Sequence, residues 1–165
     1  MSHIKQFQKE FEKESVTTRK MLSIVPNDKY DWKPHEKSMS VRQLATHVAE
    51  LPLWLGMILN TSELDFGANP YDPTIINDTK ALVEYFEKNI IEGRKELAGA
   101  KEETLDEIWT LRNGAEIYSA DPKVDVIRMT FNQITHHRAQ LGVFLRLLDV
   151  PIPGSYGPSA DDMSF

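Results

Sequence analysis

Residues 121–148 read DPKVDVIRMTFNQITHHRAQLGVFLRLL, and no other segment says as much about the architecture. Its inward positions, separated by three or four residues, are Ile127, Thr130, Ile134, His137, Leu141, Phe144 and Leu148. This spacing predicts one α-helix that packs along a single face. Asp121 is expected to cap its start, with Pro122 at the first helical position. The inward histidine, His137, costs free energy to bury unless both ring nitrogens find partners.

Three further segments show the same helical spacing of apolar residues. They cover residues 4–25, about 41–59, and 79–98. Ser40 and Gln43 have the spacing of a capping box, which satisfies the unpaired amides at a helix start. The sequence therefore predicts four amphipathic helices, counting the one quoted above.

Proline and glycine mark the places where regular structure is expected to break. Pro52 falls inside the second helix and should kink it near Val48 or Ala49, because proline removes a backbone hydrogen bond. Residues 101–120 give mixed signals and are expected to be irregular or weakly strand-like. The tail from about residue 150 is rich in proline and glycine and should not be helical.

Four amphipathic helices without a convincing series of strands predict an all-α fold, a four-helix bundle. The chain has 165 residues, which is the length of a single domain, so residues 1–165 are expected to form one unit. Its hydrophobic fraction of 41% is enough for a core that needs no disulfide or metal to hold it together.

Composition excludes several classes of function. A net charge of −6, with basic residues scattered among acidic ones, argues against a nucleic-acid partner. The N-terminus lacks the apolar core of a signal peptide, and no run of about 18 apolar residues occurs, so we expect a cytoplasmic protein without membrane contact. Cysteine is absent, which excludes thiolate nucleophiles and cysteine-ligated metals. A metal would need nitrogen and oxygen ligands.

A second histidine, His47, faces inward on the second predicted helix. Bundles hold metals and ligands between facing helices, so His47 and His137 would meet if their helices are neighbours. Gln133 lies one turn before His137 and can point at the same spot. These three residues supply possible metal ligands, whereas His136, about 100° around the helix, should not share the site.

Two interpretations of these histidines remain open from spacing alone. A single inward histidine is more often a hydrogen-bonded core residue than a ligand, and a second one makes the two interpretations about equal. The metal interpretation predicts that each ring bonds a carboxylate or carbonyl through its other nitrogen, with Glu50 and Asn132 as candidates. Motifs for di-iron carboxylate centres, HExxH zinc sites, P-loops and nucleophile elbows are missing.

Three segments resemble the DinB-like superfamily: SVRQLATHVAE at 40–50, NQITHHRAQLGVFLR at 132–146, and the tail 150–159. The resemblance implies an up-down-down-up four-helix bundle, often homodimeric, with a metal held by one histidine of the second helix and an HxxxH pair of the last. Carried over, His47 and His137 are ligands. Gln133 stands where the family usually has a histidine, and its amide oxygen binds zinc or nickel more weakly than imidazole does.

The resemblance also implies a thiol-dependent activity. Similar proteins include bacillithiol S-transferases and mycothiol-dependent isomerases, in which a divalent metal, nickel or zinc first among them, favours the thiolate of a low-molecular-weight thiol. The expected function is a metal-dependent thiol S-transferase that acts on small electrophiles. A metal-dependent hydrolase and a non-catalytic metal- or ligand-binding dimeric bundle remain the alternatives.

Overall fold

A computed structural model describes residues 2–163 and shows a mostly helical fold with one small sheet. The five α-helices of this part of the chain are α1 (His3–Leu22), α2 (Val41–Glu50), α3 (Pro52–Asn60), α4 (Thr79–Gly99) and α5 (Lys123–Leu147). The strands are β1 (Glu63–Asp65), β2 (Ile108–Asn113) and β3 (Glu116–Pro122), and short 3₁₀ turns lie at Asn27–Lys29 and Glu102–Thr104. No helix within residues 2–163 combines the length and the apolar character that a membrane crossing requires.

The core lies between the five helices. Helix α1 packs against α4 and α5, and both α2 and α3 pack against the same two helices. Phe11, Phe86 and Phe131 are almost completely buried there, and the rings of Phe11 and Phe131 meet edge to face at 6.4 Å between centroids. The helical character predicted from periodicity is confirmed in all four segments, although the second forms two helices, and the capping box of Ser40 and Gln43 is confirmed at the start of α2.

Pro52 divides the second predicted helix in two instead of kinking one continuous helix. It occupies the first turn of α3, where its missing amide costs nothing, while the backbone of Leu51 keeps helical dihedrals. The last carbonyls of α2 lose their helical partners at this point. Asn89 of α4, which is 2% exposed, donates its Nδ2 hydrogen to the Ala49 carbonyl at 2.9 Å and so satisfies one of them.

Replacing Asn89 by leucine should therefore destabilise the protein. The substitution leaves the buried Ala49 carbonyl without a donor, which costs about 1–3 kcal/mol of unfolding free energy. Denaturant titration measures this loss, with Asn132→Leu at an exposed position of α5 as the matched control. Equal stabilities for the two variants would contradict a supporting role for Asn89 at the helix break.

The sheet was not predicted as such, although residues 101–120 carried its signal. Strands β2 and β3 form an antiparallel hairpin that turns at Gly114, whose φ of 58° lies in the left-handed region. Strand β1 pairs in parallel with β2. The predicted cap at Asp121 is wrong, because this residue pairs with Trp109 in the ladder, and α5 begins after Pro122 without a side-chain cap.

Asp65 joins the end of β1 to the hairpin. Its Oδ1 accepts hydrogen bonds from the amides of Gly67 and Gly114, each at 2.8 Å, and its Oδ2 lies 3.3 Å from Nη2 of Arg112. The bond from Gly114 is the main cause that lowers the pKa of Asp65 below its usual value, and Gly67 and Arg112 act in the same direction. The carboxylate is therefore more stable in the folded protein than in the unfolded chain.

This shift predicts an acid-sensitive contribution to stability. Because the folded pKa is depressed, the contribution is present above the unfolded value of about 3.9 and is lost as pH falls through the folded one. Asp65→Asn should lower stability at pH 7 and flatten the loss between roughly pH 5 and pH 2. Thermal melts across that range measure the slope, and an unchanged slope would contradict the assignment.

Candidate functional site

The packing of α2 against α5 brings the two predicted histidines together. The rings of His47 and His137 lie 4.7 Å apart between centroids, with an interplanar angle of 75°. Residues of distant parts of the sequence thus form one site, at the place that the inward faces of the two helices predicted. Both histidines are partly buried.

Each ring is held by an acceptor one turn further along its own helix. Nδ1 of His47 lies 2.6 Å from Oε1 of Glu50, and Nδ1 of His137 lies 2.8 Å from Oε1 of Gln140. Both partners are acceptor oxygens, so each Nδ1 carries the hydrogen of this contact, and the neutral form of each ring has its lone pair on Nε2. Neither Nε2 has a hydrogen-bond partner among residues 2–163.

One of the two predicted orienting residues is therefore confirmed and the other is wrong. Glu50 bonds His47 as expected. Asn132 instead accepts a hydrogen bond from Nη2 of Arg128 at 3.1 Å. Gln140 takes its place because a residue three positions after a histidine lies directly beside it on a helix, whereas Asn132 lies five positions before.

The surroundings keep the His137 ring neutral. Burial is the main cause that lowers the pKa of His137, and the nearby rings of His47 and His136 add to it against the opposing hydrogen bond of Gln140. His136 is exposed, yet its ring lies 4.9 Å from that of His137. It therefore stands at the edge of the site despite its different direction on the helix.

Gln133 lies on α5 one turn before His137 and is half-buried. Nowhere in the described chain does its side chain make a hydrogen bond that would hold it away from the histidines. Within residues 2–163 no group of three or more histidine, cysteine, aspartate or glutamate side chains is placed to hold a metal ion. A metal here would depend on two imidazoles and an amide oxygen.

A cavity of about 480 Å³ opens beside His47, between α2 and the segment 71–75. Tyr71 of this segment donates its hydroxyl to Oε1 of Glu50 at 2.7 Å, which extends the chain of contacts from His47 to the cavity wall. Desolvation of its hydroxyl beside Glu50, together with this hydrogen bond, raises the pKa of Tyr71, so the hydroxyl stays protonated and remains a donor.

Arg138, the neighbour of His137, is more deeply buried than the histidine itself. Its side chain is 3% exposed and donates from Nη1 to Oε2 of Glu14 at 2.6 Å and to Oγ1 of Thr18 at 3.0 Å. The tail joins this cluster through Tyr156, whose hydroxyl lies 2.9 Å from both carboxylate oxygens of Glu14. Arg138 therefore ties α5 to α1 and to the tail, next to the histidine pair.

Periodicity did not identify this cluster. Counting apolar residues places His137 on the inward stripe, but the face of α5 that points to α1 is rotated toward Arg138. A charged side chain is stable at such a buried position only when an oppositely charged group pairs with it. For Arg138 that group is Glu14, which lies 124 residues earlier in the sequence. The apolar neighbours of Glu14 on α1 were the available signal.

Breaking this buried pair from one side should destabilise the protein strongly. Arg138→Met leaves the Glu14 carboxylate buried without its partner, at a cost of about 3–5 kcal/mol. The double variant Glu14→Leu with Arg138→Met should cost less than the single one, because no charge is then stranded. Denaturant titrations of both variants test this, and a larger loss in the double variant would contradict it.

The sequence and the fold are both similar to those of known proteins. A model of the DinB family matches residues 1–164. A DinB-like protein from Bacillus subtilis shares 18% identity, with 96% of this chain and 99% of that chain covered and a TM-score of 0.68. A DinB-like protein from Bacillus cereus shares 18% identity at a TM-score of 0.71, covering 94% of this chain and 100% of the other.

A more distant likeness has a named activity. The mycothiol-dependent maleylpyruvate isomerase shares 13% identity and a TM-score of 0.61, over 84% of this chain and 60% of its own length. At such identities the solved structures show a common fold and nothing further. None of the curated proteins matches the sequence.

Proposed function

The chain belongs to the DinB family, and on that premise we propose that it is a metal-dependent thiol S-transferase acting on small electrophiles. The observation that carries the proposal is the contact of His47 with His137, in which both Nδ1 atoms are engaged and neither Nε2 has a hydrogen-bond partner among residues 2–163. The thiol dependence named for the maleylpyruvate isomerase of the same fold supports this class of reaction.

The donor set fits a divalent cation, although weakly. Histidine ligands usually donate their second ring nitrogen to a carboxylate or carbonyl oxygen, and Glu50 and Gln140 provide such oxygens. His47 and His137 would hold the ion together with Gln133, whose amide oxygen suits zinc or nickel less well than imidazole. When bound, the cation supplies positive charge that favours a thiolate over a thiol.

The residues of the chain itself then position the reaction. Glu50 and Gln140 keep the protons of the two rings on Nδ1 and fix the ring orientations. Tyr71 holds Glu50 in place from the cavity side. The partly buried site limits access of water to the thiol. From the family resemblance we also infer an up-down-down-up four-helix bundle in which α2 and α3 together take the place of one helix. We further infer a homodimeric assembly and a location in the cytoplasm.

A second candidate is a non-catalytic ligand-binding bundle. It is favoured by one observation, namely that among residues 2–163 no three histidine or carboxylate side chains gather at the site. The third ligand of the proposed metal centre is a neutral amide. The affinity of the site for a divalent metal therefore distinguishes the metal-dependent transferase from the non-catalytic bundle.

Metal affinity is therefore the first test. Wild-type protein freed of its tag should bind one zinc or nickel ion per chain in titration calorimetry. His137→Ala should abolish binding with the fold intact, and Gln133→His should raise the affinity by roughly tenfold or more, since imidazole replaces an amide oxygen. His35→Ala, at an exposed loop position, is the matched control.

Thiol transfer is the second readout. Loss of free thiol in the presence of a model electrophile should be faster with metal-loaded wild type than with His137→Ala. Metal binding without any thiol consumption would remove the transferase proposal and leave the binding bundle. No metal bound by either wild type or Gln133→His would remove the metal centre itself.

A further inference from the structure

We propose that the cavity beside His47 binds the substrate as a neutral, largely apolar molecule carrying one hydrogen-bonding oxygen, such as an unsaturated ketone. This inference rests on the proposed function, because it names the class of electrophile that the thiol would attack. Its evidence is nevertheless separate from the histidine pair, and it comes from the cavity walls.

One wall of the cavity is apolar and exposed to solvent. Met39 is 45% exposed, Tyr71 57% and Ile75 75%, and all three side chains line the same space. Large apolar side chains gathered at the mouth of a cavity favour an occupant that removes them from water. The volume of about 480 Å³ suits a small organic molecule.

The opposite wall is a polar strip of α2 formed by Gln43, Thr46 and His47. Thr46 is 2% exposed, and its Oγ1 is the one buried side-chain nitrogen or oxygen of residues 2–163 without a hydrogen-bond partner. Burying a hydroxyl without a partner is unfavourable, and Thr46 lines the cavity, so a ligand oxygen there would relieve this cost once the hydroxyl turns toward the cavity. Gln43 accepts the capping-box hydrogen bond at Oε1, which leaves its amide hydrogens to bond to a ligand.

The charges around the cavity select against anions. Arg42 is the only charged residue that lines the cavity in the described chain, and its guanidinium is already engaged by the carboxylate of Asp31, by Asn77 and by the Ile76 carbonyl. Glu50 does not line the cavity, and its carboxylate accepts the hydroxyl hydrogen of Tyr71. The cation proposed at the histidine pair is taken up by the thiolate, so an anionic substrate would still leave water without gaining a free positive charge, whereas a neutral one loses little.

Position links the cavity to the chemistry. Thr46 and His47 are consecutive residues of α2, and His47 belongs both to the cavity wall and to the histidine pair. A ketone that bonds to the Thr46 hydroxyl therefore lies beside the imidazoles. Addition of a thiol to an unsaturated ketone forms one carbon–sulfur bond at the β-carbon and moves the thiol proton to the α-carbon, so it needs no further reactant.

Ligand affinity measured without thiol or added metal tests the inference. We expect benzylideneacetone, a neutral unsaturated ketone, to bind wild type in saturation-transfer NMR and calorimetry roughly tenfold more tightly than cinnamate, the anion of similar shape. Thr46→Val should weaken ketone binding by roughly fivefold to tenfold and leave binding of the hydrocarbon β-methylstyrene unchanged. The same variant should melt at an equal or higher temperature than wild type, because it removes an unpaired buried hydroxyl.

Two further variants make the outcome decisive. Thr17→Val on α1, whose hydroxyl bonds the Lys13 carbonyl, is the matched control and should bind the ketone like wild type. Ile75→Asp changes the exposed wall and should weaken the ketone without unfolding the protein. The inference would be overturned if neither Thr46→Val nor Ile75→Asp weakened ketone binding. It would also be overturned if wild type bound cinnamate as tightly as the ketone.

These outcomes are distinguishable from those of the proposed function. Selective ketone binding that depends on Thr46, in a protein that consumes no thiol, would support the cavity and remove the transferase. Thiol transfer that depends on His137 but is unchanged by Thr46→Val and Ile75→Asp would do the reverse.

Discussion

The packing of α2 against α5 is the constraint on which the candidate site depends. It sets the distance of 4.7 Å between the rings of His47 and His137, and it places the cavity wall of α2 beside them. Both helices are held from several directions. The capping box fixes the start of α2, Pro52 ends its hydrogen-bond ladder, and Arg138 anchors α5 to α1. A shift of either helix by one turn would displace one ring by about 5.4 Å relative to the other and break the contact between them.

Buried polar groups in this protein are almost all paired, which makes the exception informative. Arg138 has Glu14, Lys123 has Glu107 and the Leu59 carbonyl, and Asp65 has two backbone amides. Such pairing is what the low polarity of an interior demands. Among the described residues, only Thr46 has a buried polar side-chain atom without a hydrogen-bond partner. This residue lines the cavity. Buried polar groups without a partner often lie at functional sites, because such a group lowers the stability of the free protein and can bond to a ligand.

Several features of the site were accessible to sequence reasoning because they depend on local geometry. Helical spacing placed His47 and His137 on inward faces, and a histidine followed by Glu50 three positions later predicted their contact. The prediction of Asn132 as the partner of His137 was wrong for a local reason, since Gln140, three positions after the histidine, lies beside it on the helix and Asn132, five positions before, does not. The buried pair of Arg138 with Glu14 could not be found without the packing of α1 on α5.

The amino-acid sequence by itself determined the helices, the capping box and the residue types of the site, because periodicity, capping and charge act between neighbours in the chain. Only the tertiary structure decided the three-stranded sheet, in which Asp121 pairs with Trp109 instead of capping α5. It also decided the convergence of the two imidazoles and the cavity between α2 and the segment 71–75. These features depend on contacts between residues far apart in the chain, and the free energy of burying shared surface selects among such contacts only when all the elements pack together.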